Sequence, residues 1–172
     1  QRNVGNEVIH GLPFAGLARA GFIAIQLLKS LVSTGIINSQ EYDYFLLSLN
    51  TVSAQLKDDF VYLSQTGFLK KYGHLRPGTY DILSPRYDEA PERYFSFKKT
   101  ARKKFKNEHN HKPFALSLPQ LKAIENLLKV HGLEHDVLGF FDFIKVAIEG
   151  REYSKFVFSK NLSAAIQLIQ VL

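Results

Sequence analysis

At 172 residues, with 45% apolar and 22% charged side chains, the chain has the length and composition of one globular domain, which excludes a disordered tail. It has no cysteine, which excludes a disulfide framework and a thiolate metal centre and makes the cytoplasm the expected location. Lys and Arg exceed Asp and Glu by 22 to 16, a net charge of +6 that suits acidic or phosphorylated partners without marking nucleic acid as the expected one.

The chain opens on Gln1 and contains no methionine, so a processed or excised piece, or a sequence that has lost its methionines, is expected. The first apolar segment, "FAGLARAGFIAIQLLKSLVSTGII", approaches the length of a membrane span. Arg19, Gln26, Ser30 and Ser33 interrupt it at spacings that draw one polar stripe along a helix, so a largely buried helix of a soluble domain is expected, with no membrane partner. Next, "SQEYDYFLLSLNTVSAQLKDDFVYLSQ" places Tyr42, Phe45, Leu46, Leu49, Val52, Leu56, Phe60 and Leu63 at helical spacing. Ser39 is its expected N-cap, and the junction with the first helix falls at residues 35–38.

The segment "YGHLRPGTYDILSPRYDEAPERYF" holds three of the six prolines and three arginines. Arg76, Ser84 and Ala90 precede prolines and are driven out of the helical region, so the segment reads as a long connection over about residues 72–95. Pro77-Gly78 predicts a type II turn with positive φ at Gly78. Its tyrosines and Phe95 give it enough to bury to be ordered. Two readings of its charges stay open: Arg86 pins the loop by pairing with Asp88, or His74, Arg76 and Arg86 face a phosphorylated ligand, whose oxygens match guanidinium forks.

"SFKKTARKKFKNEHNHKPF" carries seven Lys or Arg from Lys98 to Lys112 and reads as a solvated linker or basic helix surface. His109 and His111 have a spacing that a helix does not place on one face, and no metal site is assigned. "SLPQLKAIENLLKVHG" has Ser117 as N-cap, Pro119 in the first turn, Gln120 at the capping-box position and Gly132 as terminator, with Leu121, Ile124, Leu128 and His131 on one face. "EHDVLGFFDFIKVAIEG" follows as a helix whose Phe140, Phe141 and Phe143 predict burial all round, and the tail repeats Leu162, Ala165, Ile166, Ile169 and Leu172 at helical spacing. In "REYSK", read as a helix start, Arg151 and Lys155 share a face with Glu152 one position away, a set able to bind a phosphoryl group and orient a hydroxyl.

The expected fold is therefore all-α: a single bundle-like helical domain over 1–172 with one long ordered loop, divisible into 1–95 and 113–172. No glycine-rich phosphate loop, nucleophile elbow or zinc-protease motif is present.

"FLKKYGHLRPGTYDILSPRYDEAP" resembles a segment of phosphoenolpyruvate-utilising phosphotransferases of the phosphoenolpyruvate synthase and rifampicin phosphotransferase type. The match runs through Phe68, Leu69, Tyr72, Gly73, His74, Pro77, Gly78, Asp81, Pro85, Arg86 and Tyr87, and departs at Leu75, Arg76 and Thr79. Arg151, Glu152, Lys155 and Lys160 resemble a later basic-acidic element of the same family. The resemblance spans roughly residues 14–172 and is sharp at these two places. It implies a central helical acceptor or docking domain of a larger enzyme, in which an ATP-grasp domain phosphorylates a mobile histidine domain that then serves a small-molecule acceptor. ATP and Mg2+ are implied for the whole enzyme, and no cofactor for this chain. The phosphohistidine of such enzymes lies in a Thr-Ser-His or Thr-Cys-His context that this sequence lacks, so His74 is not that nucleophile and the chain alone is expected to be inactive. Arg151, Glu152 and Lys155 become the implied catalytic residues; His74, Arg76, Arg86 and Lys160 become the implied phosphate-binding ones. The alternative is a stand-alone helical interaction module whose basic stretch meets an acidic partner or nucleic acid.

Overall fold

The structure is a computed structural model that describes residues 5–78, 81, 83–97 and 113–170, of which 5–13 and 170 are described by their backbone alone. Among these residues the chain is all-helical, with seven helices and no strand: α1 (Gly5–Ser33), α2 (Ser39–Ser48), α3 (Val52–Tyr62), α4 (Gln65–Tyr72), α5 (Pro91–Tyr94), α6 (Leu118–Val130) and α7 (Val137–Gln170). They fall into two compact units, each assembled from two separate stretches of chain: Gln1–Thr51 with His111–Glu152, and Val52–Asn110 with Tyr153–Leu172. The divisions thus fall at 51/52, 110/111 and 152/153, where the sequence suggested a cut between 95 and 113.

In the first unit the core is Ala24, Leu28 and Leu31 of α1, Ile37, Phe45 and Leu49 around α2, Ile124 and Leu128 of α6, and Phe140, Ile144, Ala147 and Ile148 of α7. The buried positions of α1 follow the three-to-four spacing of one helix face. The expectation of a largely buried α1 is corrected, because Phe22 and Ile23 stand 58% and 50% exposed. Composition alone does not say how many faces of an apolar helix find neighbours. Residues Phe14–Ser33 are long and apolar enough to cross a membrane by length and composition. Their buried face is packed into a protein core, which is compatible with a soluble protein.

Both long stops in this unit are Schellman motifs. Gly35 adopts φ +73°, with Gly35 N–H donating to Val32 O and Ile36 N–H to Leu31 O. Gly132 adopts φ +67°, with its N–H on Lys129 O and Leu133 N–H on Leu128 O. The helix starts are joined across the chain. Asn38, one residue before the expected Ser39, caps α2: its Oδ1 accepts from Glu41 N–H and its N–H donates to the Glu41 carboxylate. Ser117 begins α6 as expected, its N–H donating to Gln120 Oε1 at 2.8 Å. Gln120 Nε2 in turn donates to Ile36 O at 3.0 Å and to Glu41 Oε1 at 3.0 Å. The two capping boxes are thus one network.

Two sequence expectations about continuity and one about burial are corrected. The helix read through residues 39–65 is interrupted after Ser48, whose hydroxyl bonds back to Phe45 O, and Asn50 N–H donates instead to Glu149 Oε1 at 2.7 Å. The two C-terminal helices are one, α7, of 34 residues. Its phenylalanines are not uniformly buried: Phe140 is in the core, Phe141 half-buried and Phe143 exposed. Helical periodicity marks who shares a face, not which faces are covered.

The second unit is built on an aromatic core. Phe60 of α3 meets Phe68 of α4 edge-on at 5.5 Å, and Phe95 and Phe97 close on both. Tyr72, fully buried, packs tilted against Phe68 at 5.1 Å and edge-on against Phe156 of α7 at 5.8 Å. Its hydroxyl donates to Asp59 Oδ2 at 2.8 Å, where Lys71 Nζ also lands at 2.7 Å.

Candidate functional site

The second unit turns the proline-rich connection into an ordered loop. Its stem is closed by two backbone bonds, from Tyr87 N–H to Leu75 O at 2.8 Å and from Asp88 N–H to Gly73 O at 3.1 Å. That places the two ends of the excursion side by side, in the manner of a compact surface loop packed by its own side chains. Tyr87 lies against Tyr94 and Phe95, and Tyr94 Oη donates to Pro85 O at 2.9 Å. The predicted type II turn does not form. Gly78 has no positive φ, and Asp81 N–H donates to Gly78 O at 3.0 Å. Asp81 orders the next residues by accepting from Leu83 N–H at 2.9 Å and from the Ser84 hydroxyl, so local side-chain bonds displace the Pro-Gly preference. Leu83, at 88% exposed, contributes nothing to the loop's packing; Thr79, Tyr80 and Ile82 lie outside the described residues.

The loop rides on one face of α7. His74 meets the Phe156 ring edge-on at 4.7 Å, Arg76 Nη2 donates to Ser163 Oγ at 3.3 Å, and Gln167 Nε2 donates to Glu89 Oε1 at 3.2 Å. Phe156, Lys160, Ser163 and Gln167 succeed one another at intervals of four, three and four, the spacing of a single helical stripe. Sequence reasoning named Lys160 on that stripe and missed Phe156, Ser163 and Gln167, although their spacing was there to be counted.

Four of the residues proposed for phosphate binding therefore gather in this unit, but not as equals. Arg86 is engaged: Nε donates to Asp88 Oδ1 at 2.9 Å and Nη2 to the second oxygen of the same carboxylate. This is the loop-pinning pair. Arg76 is only 7% exposed, held by Asp81 O at 3.2 Å as well as by Ser163. Lys160 is exposed. His74 is half-buried, and burial, together with the Lys160 and Arg86 cations, lowers its pKa below the usual 6.5; the Phe156 backbone and Asp88 pull the other way. Asp81 is held low by the Ser84 hydroxyl and the Leu83 N–H, and Glu89 chiefly by the Arg86 N–H.

The residues proposed for catalysis lie on α7. "REYSK" is not a helix start: Arg151 to Lys155 are interior to α7, so no free backbone N–H groups of a helix N-terminus assist them. Arg151 belongs to the first unit, where its guanidinium lies 4.5 Å over the Phe22 ring and its methylenes pack against Gly21 of α1. Glu152, in the same unit, is half-buried. Lys155 belongs to the second unit and is exposed.

His131 and His135 are exposed, and His131 closes α6 through its backbone N–H on Leu127 O. The basic stretch from Lys98 to Lys112, with His109 and His111, lies outside the described residues. Among the described residues no three His, Asp or Glu side chains converge as metal ligands. Comparison with protein families, with curated proteins and with solved structures gives no match.

Proposed function

We propose that the chain is the helical acceptor or docking domain of a cytoplasmic, ATP-dependent phosphotransferase that relays its phosphoryl group through a phosphohistidine. The observation that carries this reading is the seating of the 72–95 loop on α7. Two segments that resemble the same family lie far apart in sequence, and in the second unit His74 meets Phe156 and Arg76 meets Ser163.

In this reading the phosphoryl group arrives on the histidine of a mobile domain. The P–N bond breaks as the acceptor oxygen forms a P–O bond, and the acceptor hydroxyl proton passes to Glu152. Arg151 and Lys155 neutralise the charge on the group in transit, because this chemistry depends on positioning and charge rather than on covalent participation. ATP and Mg2+ belong, by the resemblance, to the ATP-grasp domain, and no step here runs through them.

The test is made in the full-length parent. Its coding sequence is expected to hold an ATP-grasp region before this segment and a Thr-Ser-His-like segment after it. Arg151→Ala and Lys155→Ala are expected to abolish transfer to the acceptor while leaving ATP-dependent phosphorylation of the histidine intact. Unchanged transfer in both variants would remove the reading.

A further inference from the structure

Among the described residues Arg76 is a cation taken out of water with no carboxylate in hydrogen-bond contact. There its Nη atoms donate to neutral oxygens, the Asp81 carbonyl and the Ser163 hydroxyl, and its buried Nε–H has no hydrogen-bond partner. The carboxylates that feel its charge are Asp81 and Glu89, and both are occupied by the loop itself: Asp81 by Leu83 N–H and Ser84, Glu89 by Arg86 N–H and Gln167. A buried charge is costly unless paired, and nearly all buried polar groups in folded proteins are satisfied. A second buried nitrogen of the loop, His74 Nε2, likewise has no hydrogen-bond partner among the described residues, while the imidazole as a whole is drawn toward the Phe156 backbone. Lys160, exposed and one turn along α7 from Phe156, carries its charge to His74. Arg86 is excluded from such a role by its fork on Asp88.

We propose that the seam between the 72–95 loop and α7 is a binding site for a phosphate-type oxyanion, held by Arg76 Nε and His74 Nε2, with Lys160 supplying the exposed charge and Ser163 positioning the guanidinium. Guanidinium and imidazole N–H groups form the short, charge-assisted bonds that phosphate oxygens accept. The groups facing His74 are Lys160, Arg86 and Asp88; an added anion opposes the two cations, so binding draws a proton onto the imidazole. The inference rests on the phosphotransferase reading for its choice of ligand, and names where that ligand's anionic oxygens sit.

The test titrates the 172-residue chain with inorganic phosphate at low salt, following the histidine side chains by NMR and the heat by calorimetry. Saturable binding is expected, with the His74 signals shifting and its apparent pKa rising. Lys160→Ala is expected to weaken affinity about tenfold, the loss of one charge-assisted bond. His74→Gln is expected to abolish the proton uptake. Arg76→Lys keeps the charge and loses Nε, and is expected to lose binding while circular dichroism reports an intact fold; if it does not fold, Lys160→Ala and His74→Gln decide. Absence of saturation in the millimolar range, shifts matched by chloride at equal ionic strength, or wild-type affinity in both deciding variants would overturn the proposal. Lys122→Ala, an exposed cation of the first unit, is expected to leave phosphate affinity unaltered, and the titration needs neither ATP nor acceptor, so loss of this site and loss of the transferase reading are separate results.

Discussion

Arg76 Nη2 and Ser163 Oγ are joined at 3.3 Å across 87 positions of sequence, and the bond is the buried one that fixes the proline-rich loop to α7. Removing the hydroxyl by Ser163→Ala leaves the guanidinium, among the described residues, with Asp81 O as its one acceptor in place of two. The expected cost is about 1–3 kcal/mol, the penalty for a buried donor left without its partner. Urea unfolding followed by the aromatic signals of the second unit measures it. The Arg76→Met, Ser163→Ala double variant is expected to cost less than the sum of the singles, because the second change removes the group that the first had orphaned.

Gly73 is required for a different reason. A Cβ built there would run into the Leu69 carbonyl oxygen and lie 2.8 Å from Asp88 Cβ, the second at the point where Asp88 N–H donates to Gly73 O. Gly73→Ala is therefore expected to push the two sides of the stem apart at a cost of about 1–3 kcal/mol, as overpacking does. Amide exchange at Tyr87 and Asp88 is expected to accelerate together. Exchange at Tyr87 left unchanged would mean that the stem absorbs the methyl without opening.

Distance along the chain decides which features the sequence made legible. Ser117, Gln120 and Gly132 were readable as a start and a stop because each acts on residues within one turn of itself, and the error at Asn38 against Ser39 is one residue. The pairing of Arg86 with Asp88 was readable for the same reason. The break after Ser48 was not, because the carboxylate that accepts Asn50 N–H is Glu149, 99 positions away. Nor was the anchoring of Arg76: cations look alike in sequence until the packing buries Arg76, forks Arg86 onto a neighbour and leaves Lys160 of α7 in solvent. Periodicity gave the buried face of α1 but overstated cover, as Phe22 and Phe143 show, and in the last turns of α7 it misplaced the face, since Ala165 and Ile169 are exposed while Ser159 and Ser163 are buried beside Ile166.

Gln120 ties the two helix starts of the first unit, accepting from Ser117 N–H while donating to Ile36 O and Glu41. Gln120→Ala breaks all of these at once, so its cost is expected to exceed that of an isolated cap, at about 2 kcal/mol. Gln120→Glu keeps the acceptor for Ser117 but sets a carboxylate against Glu41, and is expected to be at least as damaging near neutral pH. Thermal unfolding of the two variants between about pH 4 and pH 7 separates the cases, since protonation relieves only the second.

Asp59 links pH to the stability of the second unit. Burial pushes its carboxyl up, but the hydrogen bonds from Lys71 and Tyr72 outweigh it and hold the pKa below the ordinary 3.8. The unfolded chain therefore binds a proton more readily than the folded one as the solution is acidified. The contribution is fully present above the ordinary carboxylate value and is lost as pH falls through the lower folded one. Both partners are partly solvated, at 25% exposure for the Asp59 side chain and 45% for Lys71, so the ion pair itself contributes only about 0.5–1 kcal/mol. Asp59→Asn is expected to lower stability by about that amount at neutral pH, with the difference from wild type shrinking as pH falls below the ordinary carboxylate value. At the alkaline end burial, with the Asp59 hydrogen bond, pushes the Tyr72 hydroxyl up to about 12 from its ordinary 10.0. The folded state keeps that proton where the unfolded state has lost it, so stability declines as pH climbs from the lower value to the higher. Urea unfolding across both ranges checks the two signs together, and a wild-type-to-Asp59→Asn difference that grew on acidification would show that the carboxylate is not held low by its partners.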